Sequence, residues 1–234
     1  MQIEVFSDVV CPWCYIGKRR LEEALSTFAH ADRVEVTYRS FQLDPSSPAT
    51  SEQMLEQMLA ERYGTSMEQA RQMNQRVSDL AATVGLDFQL ERARPANTFR
   101  AHRLLHFAAG RDLGNELTER LMRAYFTEGV RIGDRDALLE LAVQVGLDEA
   151  EAAAVLDGDA FTSEVQADIS LAQAFGATGV PFFVFDRTYA ISGAQETAVF
   201  VEVLDKAWSD ANPLTVVGGP GAVCEDDSCA VPGS

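Results

Sequence analysis

Phe6-Ser7-Asp8-Val9-Val10-Cys11-Pro12-Trp13-Cys14 is the stretch whose reading decides the fold. Before it, Ile3 to Phe6 reads as a short buried strand. After it, Ile16, Leu21, Ala24, Leu25 and Phe28 recur with helical spacing. Two cysteines two residues apart therefore sit where a strand hands over to a helix. Such a helix start offers free backbone N–H groups and a partial positive charge, and both stabilise a thiolate. Thiol pKa values at such places fall to roughly 3.5–7.5 from about 8.5. One turn of separation lets the second sulfur resolve a mixed disulfide formed by the first. Cys11 is then the exposed attacker and Cys14 the more buried resolver. Pro12 suits the first helical turn, where its missing N–H costs nothing. Trp13 carries no charge, so the couple should be less oxidising than one with histidine at that place. The spacing alone leaves two other readings open, half of a zinc site or a pair of inert buried thiols. The strand before and the helix after favour redox chemistry.

Working outward, Arg33 to Phe41 alternates Val34, Val36 and Tyr38 as a second strand, ended by Pro45 and Pro48. The chain then reads as helices to about residue 175. Ser51 should cap a helix over Glu52 to Arg62, and Ser66 a longer one stopped by Gly85. Asn97 caps the next, up to Gly110. Asn115 to Phe126, Asp134 to Val145, Asp148 to Leu156 and Phe161 to Phe175 follow. Strand character returns at Pro181 to Phe185, Asp186-Arg187 turns the chain, and Tyr189 to Ile191 is the partner strand. Ala198 to Trp208 is a closing helix. Neither strand-bearing end holds enough strands alone, but together they supply a four-stranded sheet. The expected organisation is α/β: residues 1–48 with 176–212 as one discontinuous domain, 49–175 as an inserted helical domain, and 213–234 as a flexible tail.

Three groups of residues carry a resemblance to a known family: Phe6 to Cys14; Asn97-Thr98-Phe99-Arg100-Ala101-His102-Arg103-Leu104; and Gly179-Val180-Pro181-Phe182-Phe183-Val184. Over about residues 1–210 the chain resembles the DsbA-like branch of the thioredoxin superfamily. Within it, the chain is similar to FrnE-type proteins, relatives of hydroxychromene carboxylate isomerases and kappa-class glutathione transferases. The resemblance implies a thioredoxin-like fold with a large helical insertion. It also implies a cis Pro181 facing Cys11 and Cys14, and disulfide exchange. Pro12, Trp13, Val180 and Pro181 are the expected substrate-binding residues. The isomerase and transferase relatives typically place a serine where Cys11 stands. Cysteine at both positions departs from them and favours dithiol chemistry over glutathione-assisted isomerisation.

Cys224 and Cys229 form a second pair in the tail, separated by three acids and a serine. Nearby carboxylates raise a thiol's pKa and make it a poor attacker. The pair suits an accessory redox role, passing electrons to or from Cys11–Cys14, and the resemblance supports it, since a similar extra tail pair occurs in FrnE-type proteins. A labile surface disulfide and a four-cysteine zinc site remain the alternatives. A zinc-stabilised binding module is thus the non-enzyme rival, and a glutathione-dependent isomerase or transferase the enzymatic one.

Composition narrows the rest. The 234 residues hold 36 acids and 19 bases, for a net charge of −17. Residues 136–234 contain 17 of those acids and only 2 bases, an acidic face that repels anions. Nucleic-acid binding, which needs clustered Lys and Arg, is not expected. No apolar run is long enough for a membrane helix, and nothing at the start reads as a signal peptide. The chain is expected in the cytoplasm, acting on protein thiols and disulfides without a metal or organic cofactor. Glutathione or a thioredoxin system would recycle it. Lys18-Arg19-Arg20 reads as a solvated helix face, and Met54, Met58, Met67 and Met73 as core. His102 and His106 have zincin spacing, but Arg103 stands where the general-base glutamate belongs. The resemblance hints that Asn97 and His102 line the active-site groove. Ordinary capping and packing explain them otherwise.

Overall fold

The structure is a computed structural model. It describes residues 1–213 and, beyond them, the strand pairing of Cys224–Glu225 with Ser228–Cys229. The side chains of Cys224 and Cys229 lie outside the described residues.

Four strands make the main sheet: β1 (Gln2–Ser7), β2 (Glu35–Ser40), β3 (Phe182–Phe185) and β4 (Tyr189–Ser192), in the order β2-β1-β3-β4. β1 runs parallel to β2 and antiparallel to β3, which pairs antiparallel with β4. The parallel pair requires a crossover, and α1 (Pro12–Thr27) supplies it. Between β2 and β3 come α2 (Leu55–Tyr63), α3 (Met67–Thr83), α4 (Phe99–Ala109), α5 (Gly114–Arg123), α6 (Arg135–Gln144), α7 (Glu149–Asp157) and α8 (Thr162–Ala174). α9 (Thr197–Ala211) follows β4. The order of strands and helices is the thioredoxin-like one that the sequence suggests.

Both sheet faces are covered, so β1 and β3 are buried along nearly their whole length, as strands between two layers are. On one face Ile3, Val5, Phe183 and Phe185 meet Leu21 and Ala24 of α1 and Phe200 and Leu204 of α9. Phe183 and Phe200 pack edge to face at 4.8 Å between ring centroids. On the other face Phe6, Phe182 and Val184 meet Ala172 of α8. A third apolar cluster joins the helical block to Cys11, Cys14, Tyr15 and Ile16 at the head of α1. The dithiol turn therefore belongs to the seam between sheet and helices.

Two local expectations fail for tertiary reasons. Ser51 does not start α2, because its Oγ accepts from Gln53 N–H and the helix begins at Leu55, whose own N–H donates to Ala93 O at 3.2 Å. Ser66 does cap α3, accepting from Gln69 N–H at 3.1 Å while Gln69 Oε1 accepts from Ser66 N–H. The helix expected through Phe126 changes hand-off at Ala124, where a π-helical turn, Ala124–Glu128, begins. Such turns often mark functional sites.

Candidate active site

Cys11 is the residue just before the first turn of α1, with extended backbone (φ −88°, ψ 113°). Its carbonyl accepts from Cys14 N–H at 3.0 Å, and its own N–H donates to Asp8 O at 3.0 Å. Both sulfurs are free thiols. Cys11 Sγ lies 3.5 Å from the carbonyl of Val180, and the Val180–Pro181 bond is cis. The loop before β3 is thus set directly over the dithiol. Gly17 permits this approach: a Cβ there would come within 3.0 Å of the Phe183 ring and 3.1 Å of Pro181 Cγ. Pro181 is buried against α1, and its carbonyl accepts from Gly193 N–H at 2.8 Å.

The expected contrast between an exposed Cys11 and a buried Cys14 needs correction, since each is 2% exposed. The Val180 loop and the helical block cover Cys11. The asymmetry lies elsewhere. Cys11 lines a cavity of about 310 Å³ and Cys14 does not. Burial first, and the neighbouring Cys11 second, push the Cys14 thiol well above the ordinary thiol range.

Apolar side chains dominate the lining of this cavity. Val10, Pro12, Trp13 and Val180 form the wall beside Cys11, and Trp13 is 42% exposed at the rim. Met58 and Leu59 of α2, Met73 and Val77 of α3, and Tyr125 and Phe126 of the π-helical turn close the opposite side. Arg62 and Asp44 pair at 3.7 Å at its edge. The methionines read as core are half-buried, and two of them line this groove. α2 carries no buried residue and α3 only Ala70 and Ala81, so this wall is lightly packed. Flexible thioethers in such a wall adapt to varied apolar shapes.

Other sequence-derived candidates sit apart from the groove. Asn97 ties the chain together, donating to Pro45 O at 3.0 Å and accepting from Phe99 N–H. His102 is buried beneath the dithiol rather than in the groove wall, and lines a smaller cavity. Among the described residues no cluster of three His, Cys, Asp or Glu has metal-holding geometry. Lys18-Arg19-Arg20 is not a solvated face. Lys18 and Arg20 are each 5% exposed. Lys18 donates to Glu119 at 2.6 Å and also to Glu22, while Arg20 donates to Ala194 O at 2.6 Å and to Glu196. Glu119 additionally accepts from Arg19 and from Tyr15 Oη. Burial opposes ionisation of Glu119, yet the hydrogen bonds from Arg19, Lys18 and Tyr15 outweigh it and hold the carboxyl at about 2. This ionic knot fastens α5 to α1 behind the dithiol.

Comparison with known proteins agrees with this geometry. The model of the family described as the DSBA-like thioredoxin domain matches residues 2–205. The uncharacterized protein YwbO of Bacillus subtilis (strain 168) is 31% identical over 214 residues, covering 90% of this chain and 96% of that protein. A crystal structure of a probable DsbA oxidoreductase from Streptomyces coelicolor superposes with a TM-score of 0.87 at 43% identity, covering 100% of both chains. The cytosolic disulfide reductase DsbM from Pseudomonas aeruginosa, solved with GSH, shares the fold. Its TM-score is 0.59 at 20% identity, covering 90% of this chain and 97% of that one. Among the described residues no helix is long and apolar enough to cross a membrane.

Proposed function

The chain belongs to the DSBA-like thioredoxin domain family, a family of oxidoreductases, and from that premise we propose that it exchanges disulfides with protein substrates through Cys11 and Cys14. The observation that carries this reading is the placement of the two sulfurs. Cys11 heads a helix, faces an apolar groove and sits 3.5 Å from the Val180 carbonyl, with Cys14 one turn behind it. In the reducing direction, Cys11 attacks a substrate disulfide and holds a mixed disulfide while apolar substrate side chains occupy the groove. Cys14 then closes the intramolecular disulfide and releases the reduced substrate. In the oxidising direction the same steps run backwards. Pro12, Trp13 and Val180 are the substrate contacts in this reading, and Pro181 sets the height of the loop. The compartment proposed is the cytoplasm, where glutathione or a thioredoxin system returns the couple to its working state.

Cys224 and Cys229 are proposed as an accessory pair exchanging electrons with this couple. Their backbone register, which sets one opposite the other across a two-stranded pairing, supports a pair that opens and closes as a disulfide. Removing both should slow recycling of Cys11–Cys14 by the thioredoxin system.

Insulin reduction tests the central reading. Cys11→Ser should bring turnover to the uncatalysed background, and exchange that survives this substitution would remove the reading altogether. Tight glutathione binding, with activity that persists in Cys14→Ser, would favour glutathione-dependent isomerisation instead.

A further inference from the structure

The rim of the groove over Cys11 is where the fold leaves apolar surface uncovered. Among the described residues four large hydrophobic side chains are exposed, and three of them, Trp13, Leu43 and Tyr63, line this groove. Tyr63 is the most open, at 61%. Apolar surface gathered round one opening marks a place that a partner covers. Among the described residues Arg62 is the one cation lining the same groove. It stands beside Tyr63 in the last turn of α2, which Gly64 ends in a left-handed conformation (φ 61°).

A guanidinium carries five N–H donors, and Arg62 uses none of them in a hydrogen bond among the described residues. Its ion-pair partner is Asp44, but Nη1 lies 3.7 Å from Oδ2, beyond hydrogen-bond length. Asp44 is served by other donors. Its Oδ1 accepts from Ser46 N–H at 3.0 Å and from Ser46 Oγ at 2.6 Å. The Ser46 hydroxyl is the main cause holding the Asp44 carboxyl below the ordinary carboxylate range, and the Arg62 charge is the least. Glu61, adjacent in α2, accepts from Gln53 Nε2 at 2.9 Å. Other arginines of this region are filled: Arg71 binds Glu56, and Arg131 binds Glu52 through both Nη1 and Nη2. Asp8, the second acid on the groove, is fully buried, and its Oδ2 accepts from Leu43 N–H at 2.8 Å. One charged group at the rim thus stays unfilled, and it is a fork of donors that matches a carboxylate.

We propose that Arg62 selects the polypeptides on which the dithiol acts, by taking the carboxylate of an Asp or Glu close in sequence to the substrate cysteine. Trp13, Leu43 and Tyr63 cover the apolar residues around that acid. The proposal rests on the dithiol reading above and names the substrate class of that same site. A basic substrate side chain is less well met, because both acids on the groove are already engaged. The acid excess of the chain lies after residue 135, and none of those acids lines the groove. Exposed charges are largely screened from one another beyond about 8 Å at physiological salt. A carboxylate arriving at the rim therefore responds first to the guanidinium it touches.

Paired peptides test this. Each has a single cysteine in an apolar segment, held as a disulfide with 2-mercaptoethanol, and the two differ only by Glu or Gln at one position. That position is walked along both sides of the cysteine. At the best position the reduced wild-type protein should release the Glu peptide with a kcat/KM about twofold to fivefold above the Gln peptide. About 1 M salt should shrink the ratio. Arg62→Gln should abolish the preference, and Arg62→Glu should turn it toward a Lys peptide. The ratio is internal to each protein, so a general loss of structure does not move it. Equal release of Glu and Gln peptides by the wild type at every position overturns the proposal, as does a preference that survives Arg62→Gln. An Arg62→Gln effect confined to oxidised glutathione, which brings carboxylates of its own, assigns the residue to a small thiol and overturns it too. If the wild type releases neither peptide, the dithiol reading fails, and binding still decides. Anisotropy of labelled peptides with serine in place of the cysteine then compares Glu with Gln. Tighter binding of the Glu peptide, lost in Arg62→Gln, upholds the carboxylate site, and equal binding ends it.

Discussion

The two sides of the dithiol turn are built to opposite plans. Toward Cys11 lies a wide, mostly apolar groove, walled by Trp13, Val180 and two lightly packed helices bearing Met58 and Met73. Toward Cys14 the interior is polar, with Ser7 and His102 buried there, Asp8 standing between them and the groove it also lines, and the Glu119 knot behind the helix. The two sulfurs are equally covered, so exposure does not distinguish them. What each sulfur faces does: Cys11 lines a cavity of about 310 Å³, and Cys14 does not.

The largest test of this contrast is to disable one side. Cys14→Ser should leave attack intact and abolish release, so that one equivalent of substrate or glutathione stays bound to Cys11, visible by mass spectrometry under non-reducing conditions. Rapid turnover in that variant would mean the Cys14 side has no part in resolution. Next comes the groove wall. Met58→Asn places an uncharged polar group in apolar surroundings, which costs about 1–3 kcal/mol, so kcat/KM for an unfolded protein substrate should drop at least about fivefold. The rate with glutathione, too small to fill the groove, should hold. Equal losses on both substrates would show that the groove does not select for polypeptide. A smaller effect is expected at the rim. Trp13→His adds a positive charge near the Cys11 thiolate, and a redox titration should read a couple more oxidising by about 30 mV, equivalent to about tenfold in the equilibrium constant.

The smallest effect concerns the support behind the turn. Glu119, held at about 2, contributes stability that is complete above about pH 4.5 and lost as pH falls toward 2. Part-exposure and screening reduce it to about 1 kcal/mol. Glu119→Gln should therefore unfold more easily in denaturant at neutral pH, and the wild-type and variant curves should converge in acid. A constant gap across that window would assign the loss to packing rather than charge.

How much of this the sequence displays depends on the distance over which each feature is decided. The strand before Cys11, the helix after it and the strand after Pro181 are written in adjacent residues, and all stand where expected. The same holds for Ser66 and its capping partner three positions later. By contrast, Lys18 and Arg20 look solvated because their acids, Glu119 and Glu196, stand about a hundred or more positions away. His102 looks like ordinary packing because Asp8, 3.4 Å from its Nε2, lies far off in the sequence. The cover over Cys11 also comes from afar, since Val180 and the walls of the groove are distant in sequence. The Cys224 and Cys229 side chains fall outside the described residues, so their part rests on sequence and register alone.

The contact between Cys11 Sγ and the Val180 carbonyl joins residues 169 positions apart. On a ribosome adding about 5–20 residues per second, roughly ten to thirty seconds separate the birth of the two. During that interval the newborn thiol has neither its roof nor the β3 strand that pairs with β1, and it meets the cell as a bare cysteine on an unfinished chain. A stretch made late shelters one made early, so a chain abandoned partway leaves its Cys11 thiol open to whatever oxidant or thiol arrives.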